Sequence, residues 1–372
     1  MNLLYVYPQF HIVSFTIIAK KHIEYIKKLK LANIQELDEI SFPSFTPGIK
    51  YTTILHPWIY IYHRFLQIRS NALNENPKDR FQKYLDNWRK NFDNLIAVDV
   101  VDSDRLSEYA VNLLNNADKI IAPSNFCIEV LKNCGVKREM FRIPHGVDPE
   151  WYCLPNQWGS APVQKINPLL LEVFLHKIKK NKKVLLYFLW HSPDRKGWSE
   201  VKEFYKRLVK ERKDVVLVLK TYSPYSREFY EVMNLGVIQV YGWLNDYEKI
   251  CLYDLADIYL NFSRGGAFEH NTLESLARGV PVIASDFGSW KDYIPGFLRV
   301  KTGERVQVLP GNLIHIGYGY KVDVEDALNK AHDILENYDD YKAKVNEYRK
   351  NILAKEYNWE NIAKRLVEVI SE

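Results

Sequence analysis

At 372 residues the chain exceeds the length at which a single hydrophobic core stops growing, so two domains are the expected organisation. Hydrophobic residues at 47% and charged residues at 26% describe a folded globular protein and exclude a disordered or low-complexity chain. The formal charge of +5 is too mild for nucleic-acid binding along a whole face, so an anionic partner is expected at a discrete site.

Taken in chain order, residues 3–7 (LLYVY) read as a first buried strand, and the lack of a basic segment before them argues against a secretion signal. No stretch reaches the roughly 20 apolar residues of a membrane span, and a cytoplasmic location is expected. Residues 16–31 predict an amphipathic helix. Its Lys20, Lys21, Lys27, Lys28 and Lys30 form either a solvated face or a peripheral contact with anionic lipid. Residues 95–101 and 120–122 predict strands, and 124–134 a helix between Pro123 and Gly135. Residues 141–144 close a first domain that spans 1–148. Residues 149–180, rich at their start in Pro, Asn and Trp, read as a connection. Strands at 184–189, 215–219, 237–241, 258–262 and 281–284, separated by helix-length stretches, predict a second parallel α/β domain over 181–350. Residues 351–372 are expected to form a terminal helix. The four cysteines (Cys127, Cys134, Cys153, Cys251) lack the spacing of a metal site or a disulfide framework. No cofactor and no metal are expected.

In doubly wound sheets, ligands bind beyond the carboxyl ends of the strands, which directs attention to the loops. After the strand ending at Phe262, a loop with Gly265 and Gly266 leads into a helix starting near Asn271 and stopped by Gly279-Val-Pro281. Free amides and the dipole at such a helix start favour a diphosphate, and Glu274 one turn in can reach a sugar hydroxyl. Paired glycines alone serve any α/β crossover equally well. In the first half, Asp102-Ser-Asp104-Arg105 follows a strand. That triplet suits an acceptor-binding or catalytic carboxylate, a helix cap by Asp104, or, as the minority reading, a divalent metal. His11, His56 and His145 are further acceptor-side candidates.

Three blocks carry a family resemblance. Residues 263–285 (SRGGAFEHNTLESLARGVPVIAS) resemble the donor-binding signature of the retaining family-4-type glycosyltransferases, also called glycosyl transferases group 1. The run ADKIIAPS at 117–124, Cys134-Gly-Val136 and Ile143-Pro-His-Gly-Val-Asp148 is similar to the passages that close the first domain of that family. Residues 185–197 (LLYFLWHSPDRKG) resemble the opening of its donor domain. The resemblance implies a GT-B fold: two Rossmann-like doubly wound domains facing a central cleft, the first holding the acceptor and the second the nucleotide sugar. It implies Arg195 and Lys196 as diphosphate clamps, with Gly265, Gly266, Ala267, Phe268, His270, Asn271, Thr272 and Glu274 on the donor. Gly242-Trp243-Leu244 is the turn beside the nucleobase, and Lys220 faces the same cleft or snorkels to solvent. Residues 288–292 are expected only to pack nearby, and the terminal helix to return to the first domain. One departure matters. Gly266 stands where the family has its first glutamate, which leaves Glu269, three positions on, as the catalytic candidate together with Asp102, Asp104 and Arg105.

The expected function is therefore metal-independent transfer of a sugar from a UDP- or GDP-linked donor to a hydroxyl of a glycan, lipid or protein acceptor, with retention of configuration. The partners expected are that donor and acceptor, with no nucleic acid. A nucleotide-sugar epimerase or hydrolase of the same architecture, or a sugar-nucleotide binding module that has lost catalysis, is the alternative.

Overall fold

The computed structural model describes residues 1–11, 13–64, 86, 87, 89–153 and 167–372. They form two compact units, the first of residues 1–146, 312–316 and 357–372, the second of residues 147–311 and 317–356.

Unit 1 is built on six parallel strands in the order β2-β1-β3-β4-β5-β6. These are β1 (Asn2–Tyr7), β2 (Asn33–Asp38), β3 (Tyr51–Leu55), β4 (Phe92–Val98), β5 (Lys119–Ala122) and β6 (Glu139–Arg142). β1 is an unbroken apolar run because it lies inside the sheet with both faces covered. Two strands escape the sequence pattern. β2 (NIQELD) is a polar edge strand, and β3 (YTTIL) hides Thr52 and Thr53 in the interior behind a sequence of mixed polarity. β4 begins three residues before the expected 95–101, and the helix expected at 16–31 spans Ser14–Lys28.

The helix Ser14–Lys28 and the terminal helix Trp359–Ser371 cover one face of this sheet. Ile18, Ile23 and Ile26 meet Ile362, Leu366 and Ile370 over Leu3, Tyr5 and Ile96. The terminal helix is capped by the Asn358 side chain, which accepts from the amide of Asn361. Its approach explains the glycine in Ile143-Pro-His-Gly. A Cβ on Gly146 would stand 2.6 Å from Ile362 Cδ1 and 3.0 Å from the backbone of Asn358. The lysines of the first helix are largely matched by glutamates: Lys21 with Glu24 at 3.2 Å, Lys27 with Glu36 at 2.6 Å and Lys28 with Glu360 at 3.3 Å. Among the described residues no helix is long and apolar enough to cross a membrane.

Under that helix pair sits a buried polar group of three. Tyr5 Oη lies 2.8 Å from His22 Nδ1 and 3.0 Å from His56 Nδ1. One phenol proton can be donated to only one imidazole, so the two rings hold opposite tautomers, the second donating its Nδ1–H to the phenol oxygen. Burial pushes His22 down to about 3 and His56 well below the usual histidine value, with His22 adding to the effect on His56.

Unit 2 repeats the parallel architecture with the order β12-β11-β10-β7-β8-β9. Its strands are β7 (Lys183–Leu189), β8 (Val215–Thr221), β9 (Ile238–Tyr241), β10 (Ile258–Asn261), β11 (Val282–Ser285) and β12 (Arg299–Val300). An antiparallel hairpin of β13 (Thr302–Gln307) and β14 (Tyr318–Val322) follows, which the sequence pattern did not announce. The stretch 149–180 is not a free connection where it is described. Pro149–Cys153 and Pro168–Phe174 are helices of unit 2, while residues 154–166 lie outside the described residues.

The histidine pair gives a testable pH dependence. With His22 at about 3 in the native state and near 6.5 unfolded, the unfolded chain binds more protons between those values, so unit 1 loses stability as pH falls through that window. Asp99, pushed up to about 7 by burial, works in the opposite direction, so a variant must isolate the histidine. Hydrogen-exchange protection of peptides covering β1, corrected for intrinsic rates, should fall from pH 7 to pH 4. His22→Gln should flatten that fall, and peptides covering β8 should not follow it.

Candidate active site

In unit 2 the chain runs from β7 outward through β8 and β9, then returns to lay β10 on the other side of β7. The loops leaving β7 and β10 therefore diverge at a topological switch point, the place where such sheets open a crevice for ligands.

The loop after β7 turns through Ser192, held at φ 54, into the single helical turn Pro193–Lys196. Gly197 then makes a contact available to no other residue. Its φ is +76, and a Cβ there would fall 2.0 Å from the carbonyl oxygen of Phe262. The two loops are thus pressed together at their bases, and the Arg264 amide donates to the Arg195 carbonyl at 2.8 Å.

The loop after β10 is fixed at four of its carbonyls. Arg195 Nη1 donates to Gly265 O at 3.1 Å, Ser289 Oγ to Gly266 O at 2.7 Å, Tyr293 Oη to Glu269 O at 2.8 Å and the Tyr320 amide of β14 to Arg264 O at 3.0 Å. The Arg264 guanidinium forks onto Glu200, with Nη2 2.9 and 3.0 Å from its two oxygens. Residues 288–292, expected only to pack nearby, supply the Ser289 bond directly.

Glu269 occupies the N-cap position of the helix His270–Ala277 but does not cap it. Its carboxylate turns instead to the cations of the other loop. Lys196 Nζ donates to Oε2 at 2.5 Å and Arg195 Nη1 lies 3.6 Å from Oε1. Burial pushes the Glu269 carboxyl up, but the charges of Lys196 and Arg195 outweigh it and hold the group below the ordinary carboxylate value. A Cβ on Gly266 would stand 2.6 Å from Glu269 Oε1 and 3.3 Å from Arg195 Nη1. The carboxylate of Glu269 therefore fills the space into which a side chain at 266 would point.

Glu274 is buried further along the same helix. It pairs with Lys249, accepts from Tyr253 Oη at 2.7 Å and lies 3.5 Å from His270 Nε2. Asn271 and Phe268 are half-buried, and Ala267 and Thr272 are buried. Asn261 Nδ2 and Thr272 Oγ1 are buried without a hydrogen-bond partner, as are Ser275 Oγ and Ser285 Oγ close by in the chain.

Lys220, at the end of β8, does not snorkel. It is buried, donates to Thr221 O at 3.1 Å and to Gly242 O, and lies 5.0 Å from the Trp190 ring centroid. Burial, helped by the charge of Lys249, pushes it down to about 8. Above it, at the ends of β7, β8 and β9, Trp190 meets Tyr222 edge-on at 4.9 Å and Trp243 at 5.9 Å. Trp243 and Tyr222 are exposed while Leu244 is buried.

The acceptor-side candidates all fall in unit 1. Asp102, Asp104 and Arg105 follow β4, and the Asp102 amide donates to His315 Nδ1 at 3.4 Å. His11 is exposed and His145 half-buried. His56 is not a loop side chain open to solvent: it is 1% exposed and tied to Tyr5, a structural post at the end of β3.

Residues 173–297 match the family model for glycosyl transferases group 1. The chain carries a glycosyl transferases group 1 domain and is a glycosyltransferase. It is 29% identical over its whole length to "Uncharacterized protein 356" of Sulfolobus islandicus rod-shaped virus 1, covering 98% of that protein. It is 28% identical to "Putative glycosyltransferase 45" of Sulfolobus islandicus filamentous virus, over 74% of each chain. Among solved structures it is similar to one described as "Trehalose-6-phosphate from E. coli bound with UDP-2-fluoro glucose", with a TM-score of 0.65 at 9% identity over 100% of this chain and 99% of that one. The fold of the glycosyltransferase is of the GT-B class.

Sequence reasoning picked out Arg195, Lys196, Gly265, Gly266 and Glu269, which the structure brings together. It missed Arg264, Ser289, Tyr293 and Tyr320, whose work is to hold that loop. A serine and a tyrosine following the next strand are too ordinary to stand out. Gly319 could have been a signal, since a Cβ there would fall 1.8 Å from the Arg264 carbonyl oxygen. Gly319→Ala should displace β14 or the loop and cost about 1–3 kcal/mol. The checks are a lowered unfolding midpoint for unit 2 and faster exchange in peptides covering residues 263–269.

Proposed function

We propose that this glycosyltransferase moves a sugar from a nucleoside-diphosphate donor to an acceptor hydroxyl with retention of configuration and without a metal ion. The observation that carries this reading is the meeting of Arg195, Lys196 and Glu269 across the β7–β10 switch point. Two largely buried cations beside a glycine-lined backbone suit a diphosphate. They would stabilise the charge that develops as the nucleoside diphosphate departs, the task a divalent ion performs in metal-dependent transferases. The UDP-2-fluoro glucose bound in the similar E. coli structure is in keeping with a donor of this kind.

Glu269 takes the part of the glutamate that Gly266 replaces. Its carboxylate lies in the volume a side chain at 266 would enter, so the loop delivers an acid to the same place from three residues downstream. In this reading Glu274, braced by Lys249 and Tyr253, takes the ribose and the exposed Trp243 takes the nucleobase. Unit 1 in turn takes the acceptor, with Asp102, Asp104 and Arg105 beyond β4 as candidate groups and His11 and His145 beyond the ends of β1 and β6 as further ones.

Arg195→Ala combined with Lys196→Ala should lower turnover by at least about 100-fold, the scale of losing charge stabilisation in a transition state. Steady-state transfer from UDP, GDP and ADP sugars to an acceptor extract is the measurement, and unchanged activity rejects the clamp. Activity in excess EDTA tests metal independence, and NMR of the product linkage tests retention. Consumption of donor without acceptor would mark an epimerase or hydrolase instead.

A further inference from the structure

The cations assigned to the donor are already engaged. Lys196 and Arg195 both face the carboxylate of Glu269, and all three side chains are largely withdrawn from water: 18% of Lys196, 10% of Arg195 and 7% of Glu269 remain accessible. Two cations and one carboxylate leave a single net positive charge for a ligand that brings at least two negative ones. A carboxylate and a diphosphate placed on the same ammonium at hydrogen-bond distance would repel each other in a site poor in solvent.

The geometry offers a way out. Lys196 is the most accessible of the three, so an incoming diphosphate meets it first, and its ammonium is a point charge on a flexible stem that can change partner without a planar fork to realign. Arg195 is less free, because Nη1 also donates to Gly265 O and stays with the loop. Glu269 covers Gly266, the point where the absence of a side chain allows closest approach to the backbone. Moving the carboxylate off Lys196 would expose the ammonium and the Gly266 backbone together. The loop need not move with it, since Tyr293 and Ser289 hold the carbonyls of Glu269 and Gly266 while the Glu269 side chain makes no cap bond to its own helix.

We propose that Glu269 is the internal counter-ion of the diphosphate site. The donor's diphosphate takes Lys196 from it on binding, and the carboxylate returns to Lys196 as the nucleoside diphosphate leaves, which speeds product release. This inference rests on the assignment of Arg195 and Lys196 to the diphosphate. It adds to Glu269 a role in release, separate from any contact with the sugar, and involves no covalent change.

The test is the affinity of ligands that carry a diphosphate but no sugar. Inorganic pyrophosphate, UDP and GDP are titrated calorimetrically into the full chain and into Glu269→Gln, which keeps the shape but not the charge. Removal of the competing carboxylate should tighten pyrophosphate and the preferred nucleotide about tenfold or more, the scale of one charge-assisted hydrogen bond. In a Lys196→Met background the same substitution should gain much less. Equal or weaker binding by Glu269→Gln, with Lys196→Met still weakening binding, overturns the counter-ion while leaving the clamp intact. Binding indifferent to both Lys196→Met and Arg195→Ala removes the clamp, and the counter-ion with it. Should Glu269→Gln fail to fold, the wild-type chain labelled with carboxyl-13C glutamate serves. Pyrophosphate should shift the Glu269 resonance, and a resonance that stays in place overturns the proposal.

Discussion

The candidate site depends on one buried ionic contact, the carboxylate of Glu269 held between Lys196 and Arg195. Buried charges are costly unless paired, and removing one member leaves the others uncompensated. The contact therefore locks together two loops that leave neighbouring strands in different directions. Much of what surrounds it has the same purpose. Gly197 lets the loops touch at their bases, Arg264 anchors one of them to Glu200, and Ser289, Tyr293 and Tyr320 hold its carbonyls. A site rigid in its backbone can leave its side chains free to exchange partners, which is how preorganisation and turnover coexist.

The parts of this arrangement that were readable in advance are those where local chemistry and position coincide. β7 and β8 announce themselves as apolar runs because both of their faces are covered, and a glycine pair between a strand and a helix marks a loop approached closely. β2 and β3 were invisible for the opposite reason. An edge strand keeps polar residues, and threonines inside a sheet look polar although they are buried. Glu269 was a candidate only because Gly266 broke a pattern; that its carboxylate fills the volume beside Gly266 is a fact of three dimensions. The bracing residues were unreadable, since a hydroxyl that holds a carbonyl across 23 or 24 positions has no local signature.

Unit 1 teaches a related lesson about histidine. His56 follows a strand at a switch point between β1 and β3, a position where chemistry is often found, yet its ring is spent on Tyr5 and shares that phenol with His22. Position in the chain could not tell a reactive ring from a structural one, whereas solvent access and partners do. The lysines of the helix Ser14–Lys28 are similar, for glutamates from β2 and from the terminal helix meet charges that looked available.

Unit 1 is assembled from three stretches of chain, and its last, residues 357–372, supplies the helix that covers Ile18, Ile23 and Ile26. During synthesis β1 to β6 precede unit 2, but one part of their cover, residues 357–372, follows the last stretch of unit 2, which ends at residue 356. The unit that begins earlier along the chain is thus completed after the unit that follows it. Until residues 357–372 are made, the apolar face that Ile362, Leu366 and Ile370 cover is exposed on the nascent chain, the kind of surface that invites association.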